Sequence, residues 1–379
     1  MRQSSVLIIE QGFLKPRGSK PVHGVELFRL HLIRQLVARG HPVALAVERS
    51  WEPRIRQWLE SEHAGAAPVS IHSAAPFAGV PGTGLISTRR AAAVHPGGFD
   101  AVLFGNARLG LVPAMYYADW MNLAPRRLLF AHRDPGPNFL DAVSTLAFDV
   151  VANSAWVADW YRGNVNGSVD VLYGLAGAER FYPRPEPAPR DDDLVHFVLL
   201  GRLPNISKGQ ERAIAAFRAL PEPLRRRCRL HLASFASPPQ FDDPCIIAHP
   251  WMHADAVGDF LRRMDAMLTV SSHETFSQAI VQGMLTGLPI VATELPVFVE
   301  KLDPLPAEPD AESRARTGPE RRRGGLLVRS TAEITEAIAL LAENTPLRRT
   351  LGAEGRAVAL ARYVWDVDRF LRDHLFPRA

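Results

Sequence analysis

Leu194-Val-His-Phe-Val-Leu-Leu200 runs directly into Gly201-Arg-Leu-Pro-Asn-Ile-Ser-Lys-Gly209, and a helical pattern opens behind it over Gly209–Leu220. The order is an apolar run of strand length, a glycine-bounded loop, then an amphipathic segment. In open α/β sheets ligands sit at the carboxyl ends of strands, beside helix N-termini. Arg202 and Lys208, six residues apart on this loop, are placed to hold a diphosphate from two sides. Read without a ligand, the same residues are a solvated turn with two exposed charges. The glycine pattern of a P-loop is absent.

A second stretch has the same grammar. The apolar run Ala266–Val270 leads into Ser271-Ser-His-Glu-Thr-Phe-Ser-Gln278, and a helix follows over Gln278–Leu285. Glu274 falls in the strand-end turn, where a carboxylate accepts hydrogen bonds from sugar hydroxyls and the following amides donate to others. As a purely structural residue, Glu274 would be a helix-capping acid.

Further outward, strand-length apolar runs alternate with amphipathic segments almost from end to end. The first half offers Ser5–Glu10, Pro42–Val47, Pro68–His72, Asp100–Phe104, Arg127–Ala131, Val150–Ala152 and Val169–Tyr173. Between the first two, Gly24–Arg39 sets Val25, Phe28, Leu32, Ile33 and Leu36 on one helical face, and Gly40 ends it. The second half adds strands at Leu230–Ala233, Ile246–Ala248, Pro289–Ala292 and Leu326–Val328, with helices at Ala254–Arg263 and near 332–342 and 346–361. Such alternation predicts β-α-β units and parallel sheets. The Pro-rich, charged stretch 184–193 reads as a linker. Domains are therefore expected at 1–185 and 194–362, with a C-terminal helix over 363–379 packing back on the first. Asp303–Arg323, rich in Pro, Glu and Arg, reads as an exposed, mobile loop.

Composition agrees with two cores. The chain has 379 residues, 47% hydrophobic and 22% charged, more than one hydrophobic core usually organises. Two cysteines, Cys228 and Cys245, exclude a disulfide framework and suit a reducing cytoplasm. No apolar stretch is long enough to span a membrane, and the N-terminus does not read as a signal peptide. Residues 1–185 hold 19 basic against 14 acidic side chains. That surplus would suit a phosphate-rich acceptor or an anionic membrane surface. Nothing in the chain has a nucleic-acid recognition signature.

The two loops, their order and their spacing resemble the retaining glycosyltransferases of family 4, the group 1 glycosyltransferases. Gly201-Arg-Leu…Ser207-Lys-Gly209 resembles that family's Gly-Arg-Leu…Lys-Gly motif. The stretch from Ser272 to Ala292 resembles its Glu-x7-Glu region and the apolar segment behind it. Weaker echoes are His23-Gly-Val-Glu26, Leu36–Val43, Gly325–Val328 and Arg362-Tyr-Val-Trp365.

The resemblance implies a GT-B fold, an α/β architecture of two facing Rossmann-like domains, the first for the acceptor and the second for the donor. It implies metal-independent transfer of a hexosyl group from a nucleotide sugar to an unidentified acceptor hydroxyl, with no cofactor. A glycolipid, a polysaccharide or a natural product would supply that hydroxyl. Position by position, Arg202 and Lys208 would neutralise the leaving diphosphate and Glu274 would hold donor-sugar hydroxyls. Gly24 would let backbone approach the phosphates, and His132 would lie near the sugar's primary hydroxyl. Gly201, Thr275, Phe276, Ser277, Gln278 and Gln282 would complete the donor site.

Three positions depart from the family. Gln282 stands for its second Glu, Ser277 for a Gly, and Tyr173-Gly-Leu-Ala176 for its Asn-Gly-Val-Asp stretch. These departures leave a non-catalytic or partner-dependent nucleotide-sugar-binding subunit as the alternative. Asp366-Val-Asp368 has the Asp-x-Asp spacing of metal-using transferases but lies in a terminal amphipathic stretch, so no metal site is expected.

Overall fold

In a computed structural model of the chain, the described residues are 4–10, 24–48, 52–53, 55–57, 69–74, 98–105, 124–132, 135, 140, 143–144, 147–174, 178–185, 193–302 and 318–377. The chain divides into two compact units. One is Met1–Ala176 with Trp365–Ala379, and the other is Gly177–Val364.

In the first unit the strands are β1 (Val6–Glu10), β2 (Val43–Glu48), β3 (Val69–Ala74), β4 (Ala101–Gly105), β5 (Arg126–Ala131), β6 (Asp149–Ala152) and β7 (Val169–Val171). They form one sheet in the order β3-β2-β1-β4-β5-β6-β7, parallel throughout. Alternate residues enter different cores. Leu7, Val102 and Leu129 face one way, and Val6, Ile8, Leu103 and Leu128 the other. A strand buried on both faces must be apolar throughout, which is why these segments read as unbroken apolar runs. Helix α1 (Gly24–Ala38) covers the second face with Phe28, Leu32, Ile33 and Leu36. Trp365, Val367, Phe370, Leu371 and Leu375 pack on that same face. Helix α2 (Ala155–Tyr161) covers the first face, capped by Ser154 Oγ, which accepts from the Val157 amide at 3.2 Å.

The second unit holds β8 (Val195–Leu203), β9 (Cys228–Phe235), β10 (Ile246–Pro250), β11 (Ala266–Thr269), β12 (Ile290–Thr293), β13 (Glu320–Arg322) and β14 (Gly325–Val328). Their order is β10-β9-β8-β11-β12-β14-β13. Helices α3 (Gln210–Arg218), α4 (Glu222–Arg226), α5 (Ala254–Leu261), α6 (Gln278–Leu285), α7 (Pro296–Leu302), α8 (Thr331–Glu343) and α9 (Thr345–Arg362) surround it. One face joins Phe197, Leu199, Leu230, Leu232 and Leu268 to Phe217 of α3 and to Ile334, Ile338 and Leu341 of α8. On the other face α6 lies so close that a Cβ on Gly283 would meet Met267 Sδ at 2.8 Å.

Two expectations change. Residues 303–317 of the expected loop lie outside the described residues, but Glu320–Arg322 are strand β13, paired antiparallel with β14. Glu320 is 9% exposed and held by Arg322 at 2.7 Å and Arg329 at 3.2 Å. A short charged run is suited to a sheet edge, where like strands must be kept from adding. Strand β8 also continues past Leu200 through Gly201 and Arg202 to Leu203, with a register shift against β9. Gly201 and Arg202 therefore belong to an irregular strand end rather than to the loop.

Both sheets begin at a central strand, grow outward on one side, then restart on the other. The switch falls between β1 and β4 in the first sheet and between β8 and β11 in the second. At such a point, successive loops leave toward opposite faces and a crevice opens at the carboxyl ends of the strands. Among the described residues no helix is long and apolar enough to cross a membrane.

Candidate functional site

The loops after β8 and β11 leave adjacent strands at the switch point of the second sheet. Asn205 shapes the first. Its Oδ1 accepts from the Ser207 amide at 3.1 Å and from Ser207 Oγ at 2.9 Å, capping a 3-10 turn over Ile206–Lys208. Gly209 closes the turn at φ +71°, and a Cβ there would stand 2.1 Å from the Val270 carbonyl oxygen. Glycine alone satisfies both the left-handed backbone and the close approach to the β11 end. The Ser272 amide then donates to the Ser207 carbonyl at 2.9 Å, joining the two loops. From behind, Thr293 Oγ1 donates to the Ser271 carbonyl at 2.6 Å.

On this frame the structure brings together three of the expected site residues, Gly201, Lys208 and Glu274. The aliphatic stem of Lys208 lies over Gly201, where a Cβ would be 3.4 Å from its Cδ. Its ammonium pairs with Glu274 Oε1, the two side chains being 25% and 13% exposed. Glu274 is not a helix cap: Ser277 occupies the N-cap position of α6, with no side-chain capping bond. Ser277 has φ +57°, a left-handed backbone that costs a non-glycine residue of order 1–3 kcal/mol. Glycine would hold this turn without that cost. Thr275, Gln278 and Gln282 are half-buried. Gln278 and Gln282 stand one turn apart on α6, and the Gln282 carbonyl accepts from Thr286 Oγ1 at 2.8 Å. The side chain of Arg202 lies outside the described residues.

Phe276 is 6% exposed and turns away from solvent toward α7. There Lys301, 0% exposed, places its Nζ 4.2 Å from the Phe276 ring centroid. Burial pushes the Lys301 ammonium down to about 8, against the pull of Glu300 and Glu274. Sequence reading left 294–302 unassigned and missed this residue. The available signal was a lysine in a chain with only four, just after the apolar run Pro296-Val-Phe-Val299 and Glu300.

His132 and Gly24 belong to the first unit. His132 follows β5, is 7% exposed, and lies 4.5 Å from the Phe130 ring and 5.8 Å from the Phe28 ring. Gly24 is the first residue of α1. The Asp-x-Asp pair has other partners. Asp366 Oδ1 accepts from the Arg369 amide at 2.9 Å, capping a short terminal helix, and Asp368 pairs with Arg39 at 2.8 Å. Among the described residues no group of three His, Cys, Asp or Glu side chains is arranged to hold a metal ion.

Residues 195–344 match the family model "Glycosyl transferases group 1", a span that includes both loops. No curated protein matches the chain in sequence. Among solved structures, the Anabaena protein HepE in complex with UDP and glucose aligns with a TM-score of 0.67 at 18% identity, covering 98% of each chain. The sucrose-phosphate synthase of Thermosynechococcus elongatus gives 0.67 at 16% identity over 96% of each chain. The α,α-trehalose 6-phosphate synthase of Burkholderia multivorans gives 0.63 at 13%, over 98% of this chain and 96% of that one. At these identities the likeness is one of fold: the chain has the GT-B fold of glycosyltransferases.

Proposed function

We propose that the protein is a retaining, metal-independent glycosyltransferase that moves a hexosyl group from a nucleoside diphosphate sugar to an acceptor hydroxyl. One observation carries the reading. Lys208 and Glu274, 66 positions apart in sequence, are paired on two hydrogen-bonded loops at a topological switch point. Each is the other's counter-ion. A diphosphate carries more negative charge than one carboxylate, so its arrival draws the Lys208 ammonium onto phosphate oxygens. Glu274, released from its partner, then accepts hydrogen bonds from the donor sugar. Binding of the phosphates thereby opens the sugar contact.

In the transfer, the bond from the anomeric carbon to the diphosphate oxygen breaks and a bond to the acceptor oxygen forms on the same face. The acceptor proton passes to the departing phosphate oxygen. Negative charge grows on that oxygen, and Lys208 with Arg202 stabilises it, each by roughly 3 kcal/mol. Gln282 meets the ribose, and the α6 amides with Thr275 and Gln278 complete the donor site. Gly24 and His132 of the first unit are assigned to donor binding by the family resemblance alone. The surplus of basic side chains in residues 1–185 supports an acceptor that is phosphate-rich or carried on an anionic membrane. Operation in a reducing cytoplasm agrees with free, buried Cys228 and Cys245. Burial holds the Cys228 thiol up at about 11, so it stays protonated and unreactive.

The strained Ser277 backbone and the neutral Gln282 favour a second reading, a nucleotide-sugar-binding subunit without turnover. Thermal-shift screening against a panel of nucleotide sugars tests the binding that both readings share, since a bound ligand raises apparent stability by mass action. Release of nucleoside diphosphate with an acceptor then separates them. A donor that binds without turnover over any acceptor supports the subunit, and no shift with any donor refutes both.

A further inference from the structure

Among the described residues Lys301 is unusual in having neither solvent nor an oxygen partner. It is 0% exposed, and among the described residues its Nζ has no hydrogen-bond partner. Its surroundings are two aromatic rings, Phe276 at 4.2 Å and Tyr363 at 5.5 Å from Nζ to centroid. A lone buried ammonium is expensive, and aromatic faces recover only part of that cost. Hydrophobic burial alone would favour an apolar side chain here, as at Val297, Phe298 and Leu302 of the same helix. The charged groups facing it are Glu300 on its own helix and Glu274 on the loop after β11. Tyr363, at the C-terminal end of α9, is uncharged: its hydroxyl donates to the Glu300 carbonyl at 3.1 Å, and burial raises its pKa. Lys208 enters through its pair with Glu274.

These contacts all bear on one short segment. Phe276 is two residues beyond Glu274, so the cation that grips the ring also attracts the carboxylate. We propose that Lys301 is a positioning residue of the donor loop, its buried ammonium anchoring Phe276 and attracting Glu274 so that the loop keeps its shape when Lys208 turns to a diphosphate. The inference rests on the donor-site reading of that loop. It assigns Lys301 no contact with substrate. The sugar half of the donor depends on Glu274, whereas the diphosphate half depends on Lys208 and Arg202. Loss of the Lys301 charge therefore weakens a nucleotide sugar more than the free nucleoside diphosphate.

The full chain contains only four lysines, 15, 20, 208 and 301, so labelling lysine at 13Cε gives four signals that follow each ammonium through its titration. Lys301 is expected to titrate near pH 8. In Glu274→Gln, which removes an attracting charge, its midpoint should fall by about half a pH unit or more. An unchanged midpoint overturns the coupling, whether or not the protein transfers sugar. For function, Lys301→Met keeps the volume and removes the charge. With UDP-glucose and UDP as probes, affinity for UDP-glucose should fall by about tenfold and affinity for UDP by less than about threefold. In wild type the UDP-glucose preference over UDP should decline above pH 8, and in Lys301→Met that decline should vanish. Equal losses for both ligands, or none, overturn the proposal. Failure of wild type to bind UDP, UDP-glucose or any other nucleotide sugar of the panel counts against the donor-site reading and leaves the titration to decide the coupling. If Lys301→Met does not fold, the Glu274→Gln titration again decides.

Discussion

Replacing Gly209 by alanine adds one methyl group at the point where the two loops meet, and its cost follows from one distance and one angle. The backbone there has φ +71°, and the left-handed region costs an L residue roughly 1–2 kcal/mol. The new Cβ would stand 2.1 Å from the Val270 carbonyl oxygen. That oxygen, fixed in the backbone at the end of β11, must retreat by about 1 Å or more to reach van der Waals contact. Overpacking of this kind adds roughly 1–3 kcal/mol, for a total near 2–5 kcal/mol. In a unit of this size each kcal/mol moves the melting point by about 2–4 °C, so calorimetry should show a loss of roughly 4–20 °C in the transition of the second unit. The same retreat parts Ser272 N from Ser207 O and separates Lys208 from Glu274, so nucleoside diphosphate binding should weaken at temperatures where the variant is still folded. Gly283, also tightly packed but meeting the flexible Met267 side chain at 2.8 Å, is the control: Gly283→Ala should cost less stability. A Gly209→Ala protein that melts within about 1 °C of wild type and binds nucleoside diphosphate normally would refute the argument that this approach builds the site.

Three other substitutions bear on the site and the sheet. Lys208→Ala should weaken a nucleoside diphosphate more than the corresponding nucleoside, measured by calorimetric titration, and equal weakening would remove the phosphate role. Gln282→Glu should retain transfer with donor affinity changed by no more than about tenfold, because a stronger hydrogen bond to ribose is offset by repulsion from the diphosphate; abolished binding would show that position 282 faces the diphosphate and not the ribose. In the second sheet, His196, His231 and His249 form a hydrogen-bonded row across β8, β9 and β10, with both ring-nitrogen distances 2.8 Å. Burial lowers the His249 pKa from its ordinary 6.5, so the unfolded chain takes up protons first as pH falls. Its contribution to stability is complete above about pH 6.5 and is lost as pH drops toward the folded value. Urea midpoints should therefore fall more steeply from pH 7.5 to 5.5 in wild type than in His249→Gln, and parallel slopes would show that His249 does not titrate on unfolding.

The sequence by itself determined the local elements and the chemistry held in short stretches. Apolar runs at 194–200 and 266–270 announce strands because a doubly covered parallel strand must be apolar on both faces. The loops behind them show their glycines and charges in plain order, and α6 begins and ends where its pattern says. Features that depend on partners distant in sequence were decided by the tertiary structure. Glu320–Arg322 lacks any strand pattern and becomes an edge because β14 offers it one. Gly201 and Arg202 are drawn into β8 by β9, across a register shift that no local signal marks. The Lys208–Glu274 pair exists because Gly209 lets one loop rest against the end of another strand. Lys301, which by its charge alone belongs on a surface, is buried because α7 carries it in behind Phe276. A sequence records periodicity and turn chemistry within a few residues. Register, strand order and the burial of a single charge arise from contacts between residues far apart along the chain, so they are settled only when the sheet closes and the helices pack on it.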